Sequence, residues 1–163
     1  MDDVGGKYIK NTVKLVTGRF SKRSFDINNC GGEILDLIWQ EAKINKEGIG
    51  IVKKHLSRFE EISANKKMIE RLEKIESGKI KSTDWDKRFF THETREFERY
   101  KNLGYENTKN EFIPQNVWND AHSATLEDYK LLDKDINNQN NLYDPDIKEI
   151  DFISEQDKKL LGF

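Results

Sequence analysis

Thr83 and Asp86 stand at capping-box spacing, a hydroxyl and a carboxylate that can each satisfy a free backbone donor. Gly104 supplies a stop at the other end. Between them Trp85, Phe89, Phe90, Phe97 and Tyr100 provide apolar anchors. The spacing predicts one long helix across this stretch, the most strongly specified element of the chain. It also holds an unusual run, "THETREFERY", with one of the three histidines, three glutamates and two arginines in ten residues.

Other elements follow from period and punctuation. "SANKKMIERLEKIESGK" places Met68, Leu72 and Ile75 on one face, with Ser63 or Asn65 as caps and Gly78 at the end. "IGIVKKHLSRF" carries Ile51, Val52, Leu56 and Phe59 at helical spacing, with His55 on the apolar stripe. "QNVWNDAHSATLEDYKLL" is a last strong helix. "GEILDLIWQEA" reads as a short helix through Ile34, Leu35, Ile38 and Trp39. Before it, "KYIKNTVKLVTGRFSKRSFDI" has weak hairpin character, and "NNCGG" is a turn. The expected fold is mainly α, a compact helical domain of about five helices with a small N-terminal β-hairpin. Two prolines in the chain suit it.

The length of 163 residues fits one domain, taken as 1–132, followed by an acidic, asparagine-rich tail, 133–163, with one short terminal helix. Apolar residues are 35% and charged residues 36%, so the core must be economical. A net charge of -2 does not by itself announce a nucleic-acid binder. The distribution is more telling: Lys7, Lys10, Lys14, Arg19, Lys22 and Arg23 make the start basic, as a segment gripping a polyanion would be. Cys30 is the single cysteine, which excludes an internal disulfide and a multi-cysteine zinc site. It reads as a small buried residue. No apolar run spans a bilayer, and no signal peptide is recognisable.

On a helix, His92, Glu96 and Arg99 share a face, with Glu93 and Tyr100 flanking it. Carboxylates beside His92 are expected to raise its pKa. On the last helix His122, Thr125 and Tyr129 line up, and His55 with Arg58 forms a third pair at helical spacing. Histidines and a glutamate can act as base and acid near neutral pH, and an arginine can stabilise a phosphate, which suits cleavage of RNA through its own 2′-hydroxyl without a metal or other cofactor. A zinc helix motif would want histidine at position 96, where glutamate stands, though His92, Glu96 and His122 could still act as a ligand set. A solvated salt-bridge array remains the alternative on spacing alone.

"GIGIVKKHLSRF", "FFTHETREFERYKNLGY", "VWNDAHSATLEDYKL" and "LYDPD" resemble a toxin domain found at the C-termini of bacterial polymorphic toxins, contact-dependent growth inhibition and RHS-type effectors, over about residues 48 to 146. The resemblance implies a nuclease exported within a larger effector and acting in a target cell's cytoplasm. It implies a transfer-RNA substrate, a cognate immunity protein as partner, and elongation factor Tu as a further candidate partner. The expected catalytic groups are His92 or Glu96 as base, His122 as acid, Arg99 or Arg95 at the phosphate, and Thr125 and Tyr129 as positioning groups. Glu93, Tyr100, His55 and Arg58 support them. A metal-dependent nuclease using His92, Glu96 and His122, or a non-enzymatic interaction module, stays open.

Overall fold

A computed structural model describes residues 10–132. Lys7 and the 133–163 tail, with its expected terminal helix, lie outside the described residues. Two short strands, β1 (Leu15–Thr17) and β2 (Ser24–Asp26), pair antiparallel in the register Leu15↔Asp26, Val16↔Phe25, Thr17↔Ser24. Four helices follow: α1 (Lys46–Leu56), α2 (Ser63–Glu76), α3 (Asp84–Asn102) and α4 (Asn116–Tyr129), with a single 3₁₀ turn at Asn110–Phe112 between the last two. The fold is thus mainly α with a small N-terminal hairpin, as expected.

α3 is the axis of the molecule, with α1, α2 and α4 all packed against it. The capping box at its start forms in full: Asp86 N–H donates to the Thr83 hydroxyl, and Thr83 N–H donates to the Asp86 carboxylate. Arg71 of α2 grips the same carboxylate through two donors, 2.8 and 2.9 Å, so the cap also ties α2 to α3. At the other end Tyr105 N–H reaches Tyr100 O and Gly104 N–H reaches Lys101 O, a Schellman closure. It requires the left-handed backbone that Gly104 adopts at φ 89°.

Because α3 is covered on nearly all sides, it buries polar as well as apolar residues. Phe89 and Phe90 pack with Ile49, Val52, Met68 and Leu72, joining α1, α2 and α3. Tyr100 and Leu103 pack with Ile113, Val117 and Ala121, joining α3 to α4. The hairpin docks on α4, where Phe25, Cys30 and Ala124 form a small cluster. Asp26 N–H donates to Asp120, and the turn amides of Phe20 and Ser21 donate to Glu127. Cys30 is buried there, in the structural role its size suggests.

The short helix expected at Gly32–Ala42 does not form. The segment runs across α3 and α4 without a helix. Leu35 N–H donates to the Asp128 carboxylate and Leu37 N–H to the Asp128 carbonyl, while the Glu33 carbonyl accepts from Arg95 and Arg99. Those bonds take the backbone groups an intrahelical ladder needs, so tertiary partners override local propensity. Of the four apolar residues that suggested the helix, only Trp39 is buried, beneath the Arg88 guanidinium at 4.8 Å; Leu35 and Ile38 are exposed. None of the helices among the described residues is long and apolar enough to cross a membrane.

Candidate functional site

Three helices bring the three histidines to one carboxylate. His92 and Glu96 are one turn apart on α3, His122 comes from α4 and His55 from the last turn of α1. His92 Nε2 lies 2.8 Å from Glu96 Oε2, and His122 Nδ1 lies 3.3 Å from the same oxygen. The two ring nitrogens are 3.1 Å apart. The other oxygen, Oε1, lies 2.8 Å from His55 Nε2. Glu93 stands at the edge of the cluster, its carboxylate 3.9 Å from His55 Nε2.

The cluster is deeply buried. His55 and His92 are fully covered, Glu96 nearly so, and the His122 and Glu93 side chains keep only 10% and 8% exposure. Burial is the largest influence on His92: it pushes the imidazole below its ordinary value, against the hydrogen bond to the Glu96 carboxylate that pulls the other way. The expected rise from neighbouring carboxylates is therefore reversed by desolvation. For Glu96, burial opposes ionisation, but bonds from His122, His55 and His92 outweigh it and hold the carboxyl well below the usual range. Among the described residues Glu93 has no such donors; burial first, then the Glu96 charge, raise it well above that range. Two carboxylates one helical turn apart thus differ sharply in acidity. Among the described residues, His92 Nδ1 and the Tyr100 hydroxyl are buried with no partner.

Arg58 fixes the orientation of His55. Its Nε–H donates to His55 Nδ1 and to the His55 carbonyl, each at 3.2 Å. Its remaining donors bind the Tyr105, Thr108 and Glu106 carbonyls, and its guanidinium lies over the Tyr100 ring at 4.7 Å. The His55 ring sits edge-on to Phe59 and Tyr100. His55 was legible as a residue of the apolar stripe; its bond to Glu96 was not, because nothing in the spacing places α1 against that face of α3.

The other expected site residues go elsewhere. Arg99 is fully buried, donating to the Cys30 and Gly32 carbonyls and to Asp128 at 2.7 Å. Arg95 binds Asp128, Glu98 and the Glu33 carbonyl. Both arginines anchor the 30–37 segment, and the structure does not bring them to the histidines. The Thr125 hydroxyl donates to the Ala121 carbonyl inside α4. Tyr129 lines a separate cavity of about 370 Å³ with Leu37, Ile51 and Phe97, and burial pushes its phenol up to about 12. Tyr100 packs on His55 from within the core.

Of the basic N-terminal residues, Lys10, Lys14, Arg19 and Lys22 are exposed. Arg23 reaches the cluster's mouth. It donates to Asn119 and Ser123 of α4, and its guanidinium lies 5.2 Å over the Trp118 ring. Trp118 in turn stacks on His122 at 4.5 Å with an interplanar angle of 13°. Trp118 is 39% exposed, so the layered Arg23–Trp118–His122 arrangement runs from the surface to the cluster. The i, i+4 spacing of Trp118 and His122 was the signal for it. No known family model, no curated protein and no solved structure matches this chain.

Proposed function

We propose that this chain is the ribonuclease domain of an antibacterial effector, with its reaction centred on His92, Glu96 and His122. The observation that carries the reading is the convergence of all three histidines on one buried glutamate, next to a surface stack of arginine and tryptophan. Guanidinium and indole suit the phosphate and base faces of single-stranded nucleic acid. The exposed lysines of the hairpin extend that electrostatic footprint. Transfer RNA as substrate, a cognate immunity protein and elongation factor Tu as partners, and delivery to a target cytoplasm within a larger effector belong to the same proposal, carried by the resemblance of the three helical blocks.

The geometry reshapes the division of labour. A separated base and acid must flank a phosphate, one at the attacking oxygen and one at the leaving oxygen. His92 Nε2 and His122 Nδ1 touch at 3.1 Å and leave no room for that group between them. The cluster therefore works as one unit, with His122 beneath the half-exposed Trp118 ring. Arg99 and Arg95 are not its phosphate ligands, being held by Asp128 and backbone carbonyls.

Inducing the full chain alone in bacteria and examining RNA and DNA integrity tests the reading. The expected result is growth arrest with fragmented RNA and intact DNA. Glu96→Gln and His122→Ala, checked for folding by circular dichroism, are expected to lower cleavage by roughly 10²–10⁴-fold. Intact RNA after induction of the folded wild-type chain would overturn it, and is the result a non-enzymatic interaction module would give.

A further inference from the structure

We infer that His92 Nε2, Glu96 Oε2 and His122 Nδ1 form a three-ligand site for one divalent transition ion of the zinc class, and that Arg58 keeps His55 out of its coordination shell. The three donor atoms make a triangle with sides of 2.8, 3.1 and 3.3 Å. Ligands held about 2.0–2.1 Å from a common zinc ion at tetrahedral angles lie about 3.3 Å apart, so a small adjustment admits the ion. Two histidines and one carboxylate are a donor set that suits zinc or ferrous iron and leaves a position open.

Charge compensation points the same way. The protein meets its other buried acids with arginine or amide donors. Asp128 has Arg95 and Arg99, Asp86 has Arg71, Glu127 has two backbone amides, and Asp26 and Asp120 have amides of their own. Glu96 and Glu93 differ. Among the described residues they meet only imidazoles, with no lysine, arginine or backbone N–H on either carboxylate. A buried carboxylate such as Glu96, met by imidazoles and by no arginine, lysine or amide, is what a bound cation would balance.

A second group, His55, Glu93 and Glu96, also has its donor atoms close together. Hydrogen-bond accounting separates the two. Arg58 cannot lose its proton, so the nitrogen that accepts from it, His55 Nδ1, carries a lone pair. The His55 proton is then on Nε2, facing Glu96 Oε1 as a donor and not as a ligand. Arg58 and His55 thus form an outer relay that holds one oxygen of Glu96 and aims the other at His92 and His122, the arrangement by which outer partners orient ligands in metal sites. His55 is a positioning residue. A bound ion would polarise a phosphoryl oxygen or lower the pKa of its water. In that respect the inference deepens the ribonuclease reading.

The test reads binding without RNA. The full chain, stripped with chelator, is titrated with Co(II) and followed by its visible absorption and by the metal-to-protein ratio after gel filtration. One equivalent is expected. His122→Ala, a change at the solvent edge of the cluster, is expected to abolish the absorption while the fold, checked by circular dichroism, persists. His55→Gln is expected to weaken affinity about 10–100-fold at unchanged stoichiometry, and Glu93→Gln to leave one equivalent bound. No binding by folded wild type overturns the metal site, whether or not RNA is cut. Two equivalents, falling to one in His55→Gln, overturn the exclusion of His55. RNA left whole by a chain that binds one Co(II) would instead sink the ribonuclease reading and leave the site standing.

Discussion

Glu93 and Glu96 are three positions apart on one helix, and the protein treats them oppositely. Glu96 is held toward its ionised form by imidazoles; Glu93 is pushed toward its protonated form by burial and by the Glu96 charge. A carboxyl raised in the folded state contributes stability that is fully present below its unfolded value, about 4.3, and is lost as pH rises through the raised value. Glu93→Gln removes that loss. In the metal-free protein it is expected to stabilise at neutral pH by on the order of 1 kcal/mol, a rise of about 2–4 °C in Tm, and the gain should vanish as the pH approaches 4. A lower Tm at neutral pH would mean that Glu93 is better stabilised as an anion than its surroundings indicate. Glu96 has the opposite sign: its contribution is present above its ordinary value and fades as pH falls below it. Arg99 makes a second case at this scale. Its guanidinium is sealed against Asp128 and the Cys30, Gly32 and Glu33 carbonyls, so Arg99→Ala is expected to cost roughly 3–5 kcal/mol, as breaking a buried ion pair does. Urea unfolding measures it. A cost below about 1 kcal/mol, the range of exposed pairs, would contradict an anchoring role.

At the scale of elements, what the sequence made readable was what local chemistry decides. The α3 capping box, its glycine stop, the amphipathic α2 and the weak hairpin all depend on residues within a few positions of one another. The 32–42 segment departs from its expected helix because its decisive partners are Asp128, Arg95 and Arg99, about 60 to 90 positions away. The end of α4 shows a local compromise: Lys130 sits in the left-handed region at φ 55°, where its amide and that of Leu131 close the helix onto Glu127 and Leu126. Glycine takes that backbone without a side-chain penalty. Lys130→Gly is therefore expected to raise stability by about 0.5–1 kcal/mol, the exposed contact from Lys130 to Asp36 adding little. Thermal unfolding reads this directly, and a destabilised variant would show that the Lys130 side chain does more than its exposure suggests.

Across the whole molecule, three helices hold an acidic and histidine-rich point that a surface salt-bridge array does not resemble. Helical spacing made His92 and Glu96 visible as a pair, and the resemblance joined them to His122. Neither gave the depth of burial, which reverses the direction of the His92 shift, nor the Arg58–His55 relay that reaches Glu96 from α1. Those depend on how α1 and α4 close on α3, and that packing leaves no mark at helical spacing. It also draws Arg95 and Arg99 away from the site their sequence neighbours occupy. The central claim, that His92, Glu96 and His122 hold one ion while His55 stands outside, is tested most directly by X-ray absorption of the zinc-loaded chain. The account predicts a first shell of two imidazole nitrogens and one carboxylate oxygen at about 2.0–2.2 Å, completed by solvent. A third imidazole in that shell, or a shell of oxygens alone, would contradict it.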